Sequence, residues 1–167
     1  MTLEISKKDY HIELLRKNGF NCFPIPEKQK IADYRYNASR TVHNQVITKN
    51  ENYGYISIMG TGSAIVDFDD KERFRPIAEL LISKGYMVIE TPHGWHIPVT
   101  GLIGNISKIE LFDYSIQDKK IIEIQGTDHY CVGAGSIIMG EKKDGEEESL
   151  LEYNNVGTDK IWNAITV

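Results

Sequence analysis

Two periods of apolar spacing run along the chain, and the places where one gives way to the other mark out its elements. Ser6-Lys7-Lys8-Asp9 reads as a capping box with Asp in the position usually held by Glu. A helix follows with Tyr10, Leu14 and Leu15 facing inward, and Gly19 ends it in the left-handed conformation. Phe20-Asn21-Cys22-Phe23 reads as a short strand closed by Pro24 and Pro26. Tyr53 to Met59 and Ser63 to Asp69 read as two strands around Gly60-Thr61-Gly62, which predicts a hairpin. Past Asp70 the period lengthens: Phe74, Ile77, Ala78 and Leu81 fall on one helical face, and Gly85 stops the helix. Tyr86 to Glu90 is a strand, Pro92-His93-Gly94 a turn, and Trp95 to Val99 a strand leaving it. Further strands are expected at Lys108 to Phe112, Lys120 to Ile124 and His129 to Val132. Ile137 to Met139 pairs again, Glu141 to Ser149 is a charged loop, and Ile161 to Ile165 is a final short helix. Strands that follow one another without an intervening helix predict an α/β fold with a mixed, largely antiparallel sheet and flanking helices.

A length of 167 residues fits one domain over 1–167 with a sizeable core. No apolar run is long enough to cross a bilayer, and the polar N-terminus lacks the apolar heart of a secretion signal, so a cytoplasmic protein without membrane partners is expected. Cys22 and Cys131 stand far apart without zinc-like spacing and read as small core hydrophobes. The net charge of −5 argues against gripping duplex nucleic acid by bulk electrostatics, but it is compatible with acidic residues that hold metal ions.

Asp67 and Asp69 lie two apart on a strand, so their carboxylates leave the same face, while Phe68 points into a core. Carboxylates at the end of such an apolar strand repel each other unless a cation lies between them, and a metal supplies one; the alternative is a surface strand end with a helix cap at Asp70. Glu123 is again a carboxylate among apolar neighbours, a surface residue if taken alone and a third ligand in the company of the aspartates. Gly94 permits a close backbone approach, and His96, two residues on, can donate a hydrogen bond to a phosphate oxygen. His93 and His96 also make a weak metal pattern across a turn. Much of the basic charge, Lys28 and Arg40 included, falls in residues 27 to 50, either as a solvated loop or as a phosphate-facing one.

These residues together resemble a known family. Asn52 to Gly60 with Val66-Asp67-Phe68-Asp69 is similar to the first motif of the archaeo-eukaryotic primase superfamily, nearest its primase-polymerase (prim-pol) branch. Thr91-Pro92-His93-Gly94-Trp95-His96-Ile97 resembles the second motif. Ile122 to Gly126, running on to Tyr130-Cys131-Val132 and Ser136, resembles the third motif and the stretch behind it, with Glu where relatives often carry Asp. The resemblance covers most of residues 10 to 140. It implies a prim-pol catalytic core with one half like an RNA-recognition motif, and two magnesium or manganese ions on Asp67, Asp69 and Glu123. It also implies nucleotide phosphates on His96; Gly94, Ser136, Lys28 and Arg40 are further candidates for the nucleotide-binding site. The implied activity is DNA primase or polymerase, with nucleoside triphosphates, single-stranded template and primer as partners, together with an accessory replication domain or protein. A metal-dependent nuclease is the rival, because Asp with Glu123-Ile124-Gln125 loosely matches an Asp…Glu-x-Lys pattern in which Gln125 replaces the lysine. A non-catalytic nucleotide- or nucleic-acid-binding module is the third reading.

The acidic balance makes a prediction for any of these nucleic-acid readings. Single-stranded DNA should bind this chain weakly, and more weakly as salt rises. Fluorescence anisotropy with a labelled oligonucleotide measures it; sub-micromolar binding at physiological salt would contradict the expectation.

Overall fold

The computed structural model describes residues 5–32, 45–115, 119–140 and 149–165. Its architecture is mixed α/β, with two helices and mostly antiparallel strands among the described residues. Helix α1 (Lys7–Lys17) starts where Ser6 Oγ accepts the backbone N–H of Asp9, and the Ser6 hydroxyl donates to the Asp9 carboxylate. It buries Ile12 and Leu15, whereas Tyr10 is exposed. Residues two apart on a helix lie about 200° apart around its axis, so Tyr10 and Ile12 cannot both face the core. The isoleucine, with no polar end, takes the inside.

Strands β1 (Phe20–Ile25), β2 (Asn52–Ser57) and β8 (Cys131–Val132) form a small sheet in the order β1-β2-β8. A larger seven-stranded sheet is built on β3 (Ala64–Phe68), whose edges pair antiparallel with β5 (Trp95–Thr100) and β7 (Lys119–Gln125). β7 pairs in turn with the edge strand β6 (Lys108–Asp113). The other edge of β5 is shared end to end by β4 (Ile89–Glu90) and β12 (Trp162–Asn163), the latter parallel, and β11 (Asn154–Asn155) adds to β4. β9 (Ile137–Met139) and β10 (Leu150–Glu152) form a separate antiparallel pair.

Three further expectations change. The stretches on either side of Gly60-Thr61-Gly62 do not form a hairpin, because β2 and β3 belong to different sheets and both edges of β3 are taken by β5 and β7. The turn, with positive φ at Gly60 and Gly62, carries the chain from one sheet to the other. It is fastened by Thr61 and Ser63, whose hydroxyls both donate to the Gly19 carbonyl. The expected C-terminal helix is instead β12, which finds an open edge on β5. Helix α2 (Arg75–Ser83) buries Ala78 and Leu81 but leaves Ile77 43% exposed. Ile77 and Leu80 line an apolar groove between α2 and the sheet, shared with Val66, Phe68 and Trp162.

The two faces of the large sheet have opposite characters. One carries Val66, Phe68, Trp95, Ile97 and Ile122, and α2 packs on it together with Phe74. The other turns toward the small sheet, and its Ile65 and Ile89 join Phe20, Tyr53, Tyr55 and Phe23 in the principal core. No helix among the described residues is long and apolar enough to cross a membrane.

Beyond α2, Asp113 at the end of β6 accepts hydrogen bonds from Ser115 and from the Arg73 guanidinium, which fastens the approach to α2 to the edge strand. Those donors, Ser115 first and then Arg73, hold the Asp113 carboxyl down at about 2. A depressed carboxyl stabilises the fold above its unfolded value, about 3.9, and that contribution is lost as pH falls through the folded value. A carbon-detected NMR titration should therefore place the Asp113 midpoint near 2, and both Ser115→Ala and Arg73→Ala should raise it.

Candidate functional site

The antiparallel register decides which polar side chains meet. On β3, Asp67 lies directly opposite His96 of β5 on one side and Glu123 of β7 on the other. Glu123 is in turn opposite Glu110 of β6. Directly opposed residues share a sheet face with their Cβ atoms about 5 Å apart, so these four side chains make one row across the sheet. The row lies on the face that looks toward the small sheet, whereas Phe68 and Val66, the neighbours of Asp67, pack under α2. Asp69 follows just past the strand end, in step with Asp67 and more exposed. The structure therefore brings Asp67, Asp69, Glu123 and His96 together from three strands.

Each of the four has a distinct environment. His96 Nε2 is 3.4 Å from Asp67 Oδ1, and its buried Nδ1 has no hydrogen-bond partner among the described residues. The His96 ring also lies 6.0 Å from that of Tyr153. Glu123 is buried and held on several sides: Gln125 donates to it, Lys120 pairs with it, and Lys108 Nζ is 3.7 Å away. Asp69 is pushed above the usual carboxylate value, by desolvation first and then by the charges of Asp67 and Glu123, with Lys120 and His93 pulling the other way. The Lys120 ammonium is raised by its bond to Glu123.

A cavity of about 290 Å³ opens over this row in the seam between the sheets. Asp67, His96 and Gln125 line it from the large sheet and Cys131 from the small one, together with Lys30 and Tyr130. Lys30 and Ile31 also line an adjoining cavity of about 530 Å³ that holds Lys28 and His93, so a basic hollow borders the one over Asp67.

The remaining sequence-derived site residues fall as follows. Lys28, with positive φ, lines the basic hollow. Arg40 lies outside the described residues. The close approach that Gly94 permits is to the protein itself, since a Cβ there would meet the Phe68 carbonyl oxygen at 1.7 Å. Thr91 closes this turn by accepting the Gly94 N–H on its side-chain oxygen, which sets His96 in register with Asp67. Ser136 is fully buried, and its hydroxyl accepts the Tyr53 N–H at the start of β2; it does not line the cavity over Asp67. Sequence reasoning missed Cys131, Lys120 and Gln125. Gln125 had a visible signal, since it lies two residues from Glu123 on the same strand face, but nothing in the spacing of Cys131 or Lys120 pointed to this place.

Comparison with protein-family models and with curated proteins finds no match.

The crowding of charge has a measurable cost. A carboxyl raised in the folded state destabilises the fold increasingly as pH climbs through its folded value. Asp69→Asn should therefore stabilise the chain at neutral pH by about 0.5 kcal/mol, a small figure because the group is exposed and screened. Urea denaturation at pH 7 and pH 4 measures it, with the gain shrinking at the lower pH.

Proposed function

We propose that this chain is a nucleotidyltransferase of the primase-polymerase kind, joining nucleoside triphosphates to a primer on a single-stranded template. The observation that carries the reading is the β3–β7 register, which sets Asp67 opposite Glu123 on one sheet face with Asp69 in step, and the cavity over Asp67 that adjoins one lined by Lys28, Lys30 and His93. Support for a prim-pol core, with the large sheet and α2 as its half like an RNA-recognition motif, comes from the antiparallel β5-β3-β7-β6 order and a helix on the face opposite the acids.

The donor set fits magnesium or manganese. Asp67, Asp69 and Glu123 offer hard oxygen donors of the kind that suits either ion, and Asp69 is lifted by desolvation first and then by the charges of the other two. Asp67 and Asp69 would hold them, with Glu123 once Lys120 yields it. Two ions so held would lower the pKa of the attacking hydroxyl and offset charge on the departing pyrophosphate.

The chain's own residues do the positioning. His96 lines the cavity beside Asp67, and its Nε2–H would donate to a phosphate oxygen bound there. Lys28, Lys30 and His93 offer cationic or donor groups along the adjoining hollow, where a triphosphate tail would extend. Gln125 and Lys108 would hold the Glu123 carboxylate against rotation. Burial of His96 and Glu123 strengthens the charge interactions on their side of the row.

A second reading is favoured by one feature. A metal-dependent nuclease of the Asp…Glu-x-Lys type needs a lysine beside its carboxylates, and Lys120 supplies one from a different place in the sequence than the pattern expects. Incubating labelled DNA with metal and without nucleotides distinguishes the two, because only a nuclease shortens it.

Primer extension with magnesium or manganese is the decisive assay. The chain should extend a primer, and Asp67→Ala with Asp69→Ala should reduce the rate by at least roughly a thousandfold. Equal extension by the double variant would overturn the proposal.

A further inference from the structure

Cys131 comes to the site from the opposite sheet. It lies on β8, a strand of the small sheet, yet its Sγ, a carboxylate oxygen of Asp67 and a ring nitrogen of His96 all lie within 4.8 Å of one another. Cys131 and His96 are both more than nine-tenths buried. His96 presents Nε2 to this cluster, 3.4 Å from Asp67 Oδ1. Burial pushes the Cys131 thiol well up, so it is protonated in the metal-free protein.

We propose that Asp67, His96 and Cys131 form a three-donor site for a thiophilic divalent cation of the zinc class. One sulfur, one nitrogen and one oxygen donor, with a fourth position open to the cavity, is a set that zinc accepts and magnesium does not. Donors around tetrahedral zinc stand roughly 3.5 Å apart, a separation that Asp67 and His96 already have, so only Cys131 has to close in. Binding converts the thiol to a thiolate, whose proton leaves to solvent, and the sulfur lone pair forms the new bond to the ion. The occupied site takes Asp67 and His96 away from magnesium and phosphate, so zinc inhibits the chain. That regulatory consequence rests on the nucleotidyl-transfer reading; the binding itself does not.

The test is titration of the full chain with cobalt(II) as a spectroscopic stand-in for zinc, without nucleotide or DNA. One equivalent should produce a thiolate-to-cobalt charge-transfer band that zinc bleaches and excess magnesium leaves intact. Cys22→Val should retain the band. Cys131→Val should lose it, and Cys131→Ser, which keeps the side chain's size should the valine variant unfold, should lose it too. Zinc affinity by calorimetry should fall at least roughly tenfold in Cys131→Ser. No band in the wild type, or a band that survives in either Cys131 variant, overturns the site. Because the reading needs no catalysis, a chain that binds cobalt but extends no primer would sink the nucleotidyl-transfer proposal and leave this one standing.

Discussion

The pairing register of β3 is the constraint on which the arrangement rests. Because β3 is central, with β5 and β7 hydrogen-bonded along its two edges, each of its side chains has a fixed neighbour on either side. A slip of one residue in either pairing would send Asp67 to the apolar face under α2 and bring Phe68 into the seam. Two forces oppose that slip. One is burial of Val66, Phe68, Ile97 and Ile122 against α2, and the other is the cost of placing a carboxylate among them. The hydrophobic face thus holds in place a row of charges that would otherwise push apart.

Within that row the protein has balanced part of the charge and left the rest. Lys120 and Lys108 attend Glu123, and His96 faces Asp67, while Asp69 is left past the strand end with its carboxyl lifted by desolvation and then by its acidic neighbours. Natural chains tolerate such uncompensated clusters mainly where stability is exchanged for binding or chemistry. Gly94 contributes without touching a ligand: its missing side chain lets the Thr91 turn sit against the Phe68 carbonyl, and β5 enters the sheet with His96 opposite Asp67.

The sequence was informative where local periodicity carried the signal. Asp67 and Asp69 at a two-residue spacing, with Phe68 between them, placed both acids on the polar side, and Glu123 among isoleucines did the same for β7. What it could not give was the choice of strand partner. Gly60-Thr61-Gly62 has the composition of a hairpin turn, yet the open edges of β2 and β3 are satisfied elsewhere, and local sequence does not record which distant edge is free. The same limit hid β12, whose two paired residues are held by β5 rather than by their own propensity. Cys131 was read correctly as buried, but its opposition to Asp67 and His96 depends on how two sheets dock, which no spacing along the chain encodes. Ser136 shows the converse, since its hydroxyl is occupied by the Tyr53 backbone.

The chain passes between the two sheets more than once, at the turn from β2 to β3 and again from β7 to β8. Neither sheet is therefore a contiguous stretch that could be excised and left to fold alone. Closing such distant pairings costs loop entropy before it brings any stabilising contact, which puts them late on the folding route. Asp67 and Cys131 meet only after both sheets have docked.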